Sequence, residues 1–259
     1  MLDNLKILWH QGKQFIPDVT TAKVPGIFRG RPVITNAMVD EVSLTELCPT
    51  NAISTSPVCI DLGKCTFCGE CAVQYPDKIK FTSDYHLSAN AREGLVIREG
   101  EETQIMVDPT LVRKEIHRLF GGSLKLRQVS AGGDNSCELE LNATNNVQFD
   151  ISRFGIDFVA SPRHADGIVI TGPISENMAE PLERCYNAVP DPKIIILAGT
   201  DAISGGIFAD SPAINREFLS THHIDLYVPG NPVHPLTFIN GILSLLKKND
   251  NFTKPVNGH

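Results

Sequence analysis

ADGIVITG (165–172), ENMAEPLERCYNAV (176–189) and KIIILAGT (193–200) follow one another with short gaps, and their order decides the fold. The outer two are unbroken apolar runs rich in β-branched residues, the composition of strands buried on both faces. The middle one reads as a helix. Strand, helix and strand joined by short connections imply a parallel, doubly wound sheet. Working outward, SLKLRQVSA (123–131) reads as a strand before this unit and HIDLYVPG (223–230) as a strand after it. HPLTFINGILSLLKK (234–248) reads as a closing helix with Leu236, Ile239, Leu243 and Leu246 on one side. Ligands of such sheets sit in loops at the C-terminal strand ends. Those loops are AGGDNSC (131–137), TGPIS (171–175), GTDAISGG (199–206) and PGNPVHP (229–235).

Toward the N-terminus the pattern changes near residue 120. DPTLVRKEIHRLF (108–120) predicts a connector helix with Asp108 as N-cap, Pro109 in the first turn and Gly121-Gly122 at its end. Before it, RPVIT (31–35), NAIST (51–55) and DKIKFTSD (77–84) have the alternation and flanking turns of short strands. Residues 1–30 read as an N-terminal docking segment that begins with a short amphipathic stretch, and 249–259 as a polar tail.

The 259 residues suffice for one large or two ordinary domains, and 42% hydrophobic with 20% charged residues is usual for a globular protein. The formal net charge of -7 argues against nucleic acid as the main partner, since phosphate binding needs surplus Lys and Arg. No run approaches the roughly 18 apolar residues of a membrane helix. The N-terminus lacks the apolar core and cleavage site of a secretion signal. Seven cysteines without such a signal point to a reducing compartment and to metal thiolates rather than to disulfides. The expected location is cytoplasmic, peripheral to the inner membrane only through a complex.

Four of the cysteines carry the chemistry. CTFCGEC places Cys65, Cys68 and Cys71 at C-x-x-C-x-x-C spacing, a tight loop whose sulfurs can meet three irons of a cubane. In bacterial ferredoxins the run continues to a fourth Cys before Pro, which ligates the other cluster. Here that position is Tyr75, followed by Pro76, while Cys48-Pro49 occupies the corresponding upstream position. Counting back from Cys48, the ligands of an upstream cluster would be Leu44, Glu41 and Met38, none of them cysteine. One [4Fe–4S] cluster is therefore expected, on Cys48, Cys65, Cys68 and Cys71. Zinc on the same thiolates is the alternative, disfavoured because so tight a run does not easily splay into a tetrahedron around one ion. Cys59, in PVCID, reads as a small buried hydrophobe. GTDAISGG lacks the order of a dinucleotide fingerprint.

Residues 31–98 resemble the ferredoxin-type electron-transfer subunits of membrane-bound [NiFe]-hydrogenases and complex I, on RPVI, CPTNAI, IDLGKCTFCGECAVQYP and DYHLSANAREGLVIRE. Residues 123–247 resemble the small subunit of group 4 [NiFe]-hydrogenases of the formate hydrogenlyase type. They are also similar to the related complex I subunit that carries the last cluster before quinone. SLKLRQV, SCELE, FDISRFGIDFVASPRHADGIVITGPISENM, PDPKIIILAG, GGIF and LYVPGNP carry this likeness. The resemblance implies an α+β ferredoxin-like domain (31–107), a connector (108–122) and an α/β flavodoxin-like domain (123–248). In the second family, four loop cysteines hold a [4Fe–4S] cluster, and their positions here are Asp134, Cys137, Asp201 and Asn231. Oxygen donors match a cubane poorly. The site is then either a scaffold without its metal or a place for a different hard or borderline ion. His164 and His234 lie near these loops and read as structural hydrogen-bonders, and Cys185 as helix packing.

The implied role is electron transfer within a multisubunit oxidoreductase, beside a hydrogenase-like large subunit and other redox subunits, with membrane subunits reached only through them. A scaffolding or assembly subunit of such a complex and a redox-sensing ferredoxin-like protein are the alternatives. No catalytic constellation stands out.

Overall fold

The computed structural model describes residues 2–12, 14–101 and 104–246. The polar tail and the last residues of the expected closing helix lie outside the described residues.

The chain opens with helix α1 (Leu2–Gln11), which exposes Leu5, Ile7, Leu8 and Trp9. Next come β1 (Pro32–Ile34), α2 (Glu41–Glu46), β2 (Ile53–Ser54), β3 (Cys59–Asp61), α3 (Glu70–Gln74), β4 (Ile79–Phe81) and β5 (Val96–Arg98). The strands form two small antiparallel sheets. β1 pairs with β4 in one; β2 pairs with β3, and β3 with β5, in the other. The expected strands at 31–35, 51–55 and 77–84 are all present. Asp40 starts α2 by accepting the Val42 and Ser43 N–H groups, two of the donors a helix leaves free at its N-terminus. Ile34, Leu44, Ile60, Leu62 and Ile79 are buried together between the sheets and helices.

The connector is shorter than its sequence suggests: α4 spans Lys114–Phe120, with Arg113 at its N-cap. Asp108 does not start it. The Asn90 side chain takes both the N–H and the C=O of Asp108, at 2.7 and 2.8 Å. The Asp108 carboxylate accepts the Thr110 N–H and hydroxyl, in a local turn. Arg113 is drawn instead to the buried Asp225, with Nε to Oδ1 at 3.0 Å. These tertiary contacts outweigh the local capping preference.

The remainder winds as β6 (Leu124–Ser130), α5 (Ser136–Ala143), β7 (Ile156–Phe158), β8 (Gly167–Thr171), α6 (Glu176–Ala188), β9 (Ile194–Ala198), α7 (Thr200–Ser204), α8 (Glu217–Thr221), β10 (Leu226–Val228) and α9 (Pro235–Leu245). The five strands are parallel in the order β10-β9-β8-β6-β7. Read from β7, this is the doubly wound order 2-1-3-4-5. Every residue of β8 and β9 is buried, as their apolar runs require.

The two faces of the sheet are covered differently. Ile168, Ile170, Ile195 and Leu197 point to a face shared with Leu182 of α6, Ala202 of α7 and the core of the N-terminal region, including Ile60, Leu62 and Leu87. Val169, Ile194, Ile196 and Ala198 point to the other face, against α4, α5 and α9. Two features depart from the sequence reading. GTDAISGG contains the helical turn α7 rather than an open loop. α9 is buried on all sides, including Thr237, Asn240 and Gly241, where one apolar side was expected.

Candidate functional site

Four thiols from two separate stretches line one cavity. Cys48, just past α2, joins Cys65, Cys68 and Cys71 there, together with Pro49, Ile60, Gly69 and Phe81. Gly69, at φ +80°, makes the turn between Cys68 and α3 and so returns the chain toward the cavity at Cys71. Backbone N–H groups point at two of the sulfurs: Ala52 donates to Cys48 Sγ at 3.2 Å and Phe67 to Cys65 Sγ at 3.3 Å. Burial, with the negative charge of the neighbouring thiolates added to it, pushes the Cys65 thiol up to about 12 and the Cys71 thiol up to about 11. Cys65 is buried, Cys48 and Cys71 are half-buried, and Cys68 is exposed. Among the described residues no group of three or more His, Cys, Asp or Glu is arranged to hold a metal ion. The four sulfurs surround a space; they do not meet at one point.

The loop that delivers Cys65 is braced from outside. Arg92 grips the Asp61 carboxylate with two hydrogen bonds, at 2.8 and 2.7 Å. The Asp61 carbonyl accepts the Cys65 N–H at 3.0 Å. Thr200 Oγ1 donates to the Cys65 carbonyl at 2.7 Å, and Arg29 donates to the Phe67 carbonyl at 3.0 Å. Sequence reasoning missed all four supporting residues. The contacts of Arg92, Arg29 and Thr200 cross 31, 38 and 135 positions in the chain, while the Asp61 carbonyl reaches Cys65 within the cysteine loop itself.

At the C-terminal strand ends, Asp134, Cys137 and Asp201 come together. The Cys137 thiol packs against Gly199, which keeps φ +102° and has no room for a Cβ. Burial pushes that thiol up to about 12; the Val233 N–H works against this, and Glu138, Asp201 and Asp134 add to it. Burial and then Asp134 raise the Asp201 carboxyl, against the pull of Arg216. Oδ1 of Asp201 is buried without a hydrogen-bond partner among the described residues. Asp134 is engaged locally, accepting the Ser136 N–H at 2.9 Å and its hydroxyl at 2.6 Å. Arg216 ties this corner together by donating to the carbonyls of Pro173, Asp201, Ala202 and Ile203. Asn231 lines a neighbouring cleft with Phe28, Arg29, Phe67 and His234.

Cys59, Cys185 and His234 are accounted for locally. Cys59 is buried in β3 and donates its thiol to the Pro57 carbonyl at 3.2 Å. Cys185 packs from α6 against the core. His164 is exposed, and His234 caps α9. No helix among the described residues is long and apolar enough to cross a membrane.

Residues 135–245 match the family described as NADH ubiquinone oxidoreductase, 20 Kd subunit. Cys48, Cys65, Cys68 and Cys71 lie outside that match. The probable membrane-bound hydrogenase subunit mbhJ of Pyrococcus furiosus is 34% identical over 134 residues, 52% of this chain and 80% of that protein. Formate hydrogenlyase subunit 7 of Escherichia coli is 40% identical over 119 residues, 46% of this chain and 47% of that protein. An NADH-quinone oxidoreductase subunit of Heliobacterium modesticaldum is 41% identical, again over 46% of this chain, and 68% of that protein is covered.

Proposed function

The chain belongs to the NADH ubiquinone oxidoreductase 20 Kd subunit family, and on that premise we propose that it is an iron–sulfur electron-transfer subunit of a multisubunit oxidoreductase related to hydrogenase and complex I. Cys48, Cys65, Cys68 and Cys71 would hold one [4Fe–4S] cluster. The observation that carries this reading is the convergence of four thiols on one cavity from stretches 17 or more positions apart. Sulfurs spread around a space suit a cubane, which presents a separate iron to each thiolate, better than a single tetrahedral ion. The pairing of β1 with β4 and β2 with β3 around that cavity supports a ferredoxin-like first domain.

When bound, the cluster accepts and releases one electron at a time. The chain's own residues fix its surroundings. The Ala52 and Phe67 N–H groups aim at thiolate sulfurs, where hydrogen bonds stabilise added negative charge. Ile60 and Phe81 exclude water from the cavity wall. Cys68 brings the exposed edge of the site to the surface, where a partner can approach.

The second half, with its parallel sheet, docks the subunit against a large catalytic subunit and carries no cubane of its own. The donors at its strand ends are two carboxylates and one thiol, a poor set for soft iron–sulfide. Placement is cytoplasmic, at a membrane only through partners.

Quantifying iron and acid-labile sulfide in the anaerobically purified protein, with EPR after dithionite reduction, tests the reading. One reducible [4Fe–4S] centre per chain is the expected result; protein without iron and sulfide would sink it. Cys48→Ala separates the distant ligand from the local run. It should lose the four-iron centre, and full retention would contradict the assignment of Cys48.

A further inference from the structure

The turn between Cys65 and Cys68 is held from both sides by residues outside it. Phe67, the second of its two central residues, adopts φ +55°, a left-handed conformation that a bulky side chain rarely keeps unless its surroundings impose it. The peptide before Thr66 presents the Cys65 carbonyl to Thr200 Oγ1, at 2.7 Å in a buried setting. The peptide after Phe67 presents its carbonyl to the Arg29 guanidinium at 3.0 Å. Between these two fixed carbonyls lies the Phe67 N–H, which points at Cys65 Sγ at 3.3 Å. Clamping both flanking peptides fixes the direction of that N–H.

Thr200 comes from far along the chain. It opens α7, 1% exposed, and its N–H is held by the Gly230 carbonyl at 2.9 Å. Its neighbours on either side, Gly199 and Asp201, face Cys137 and the acidic corner at the strand ends. Nearby, Gly63 of the cysteine loop is wedged between the Arg92 guanidinium and Ile203 of α7, leaving no room for a Cβ. α7 therefore touches the cysteine loop at two points.

We propose that Thr200 and Arg29 are positioning residues for the cluster, clamping the Cys65–Cys68 turn so that the Phe67 N–H is aimed at the Cys65 sulfur, and that α7 of the second half thereby sets the reduction potential of a centre held by the first. This rests on the cluster assignment above. Groups behind the ligands commonly tune a metal centre in this way. The expected sign follows from electrostatics. A hydroxyl or guanidinium hydrogen pointed at a ligand loop's carbonyl offsets that carbonyl's negative end. It thus favours the more negative, reduced cluster. Removing the donor leaves the carbonyl uncompensated in a poorly solvated place, and the potential falls.

The test is a redox titration followed by EPR on the full chain, wild type beside Thr200→Val, Thr200→Ser and Arg29→Met. Thr200→Val and Arg29→Met should retain wild-type iron and sulfide but show a midpoint potential shifted to more negative values and an altered reduced-state spectrum. Thr200→Ser, which keeps the hydroxyl, should restore both. In the cluster-free protein, hydrogen exchange at the Phe67 amide should be roughly tenfold faster in Thr200→Val, the cost of one lost buried hydrogen bond. Arg29 is exposed, so Arg29→Met decides the matter if Thr200→Val fails to fold. Wild-type potential, spectrum and exchange in the variants would overturn the proposal while leaving the cluster assignment standing. A wild-type protein that holds no iron would instead remove the assignment itself.

Discussion

His234 shows how much one side chain can settle. Its Nδ1 accepts the Leu236 N–H at 3.2 Å and so caps α9, which places the proton of the neutral ring on Nε2. Its ring also packs against Phe28, with centroids 4.9 Å apart. Burial lowers its basicity from the ordinary 6.5. The folded protein therefore resists protonation here more than the unfolded chain does. The stability this contributes is fully present above the unfolded value and is lost as pH falls through the lower, folded one. The melting temperature should hold steady above about pH 7 and decline below about 6.5. His234→Asn, which can cap without titrating, should flatten that decline. A wild-type decline that persists unchanged in His234→Asn would place the sensitive group elsewhere. That four cysteines line one cavity was legible at this scale because C-x-x-C-x-x-C is a local pattern and Cys48-Pro49 matches the Cys-Pro that ends a ferredoxin ligand run. Thr200, Arg29 and Arg92 were not, because a hydrogen bond to an acceptor 31 or more positions away leaves no mark on the sequence around its donor.

Among the elements, β8 and β9 bear the tightest constraint. At Gly167 an added methyl would stand 2.5 Å from the Ile194 carbonyl oxygen and 2.5 Å from its Cγ1, too close for either to accommodate without the strands moving apart. Gly167→Ala should cost about 2–3 kcal/mol in urea unfolding through overpacking at the centre of the sheet. A loss under about 0.5 kcal/mol would mean that the strands separate there with ease. The same two strands were the easiest to read in advance, since residues buried on both faces give continuous apolar runs. β7 was harder: three residues, two of them half-buried, fall within a stretch that carries no periodic signal. The start of α4 was misplaced because Asp108 makes a plausible cap in isolation. Only the folded chain brings Asn90 and Asp225 to compete for that segment.

Across the whole molecule, one continuous apolar cluster runs from Leu44 and Ile60 beside the cysteine cavity to Ile195 and Leu197 in the parallel sheet. Ala89 and Tyr227 exchange backbone hydrogen bonds across the same boundary, at 3.1 and 2.8 Å. A shared core of this kind couples the two regions. Calorimetry should therefore record a single unfolding transition, with van't Hoff and calorimetric enthalpies equal. Two resolved transitions would show that the regions unfold independently. The change of pattern near residue 120 marks a change of architecture in the sequence, but it gives no hint that the sheet face and the cysteine region would share a core. The unequal exposure of the four thiols has a further consequence. Cys65 is sealed in, while Cys68 stands at the surface. Dioxygen or peroxide arriving from solvent meets Cys68 first, so sulfur oxidation begins at that one corner. A neighbouring subunit seated over it would act as a shield as well as a conductor, and the isolated chain should be far more air-sensitive than the same chain in its assembly.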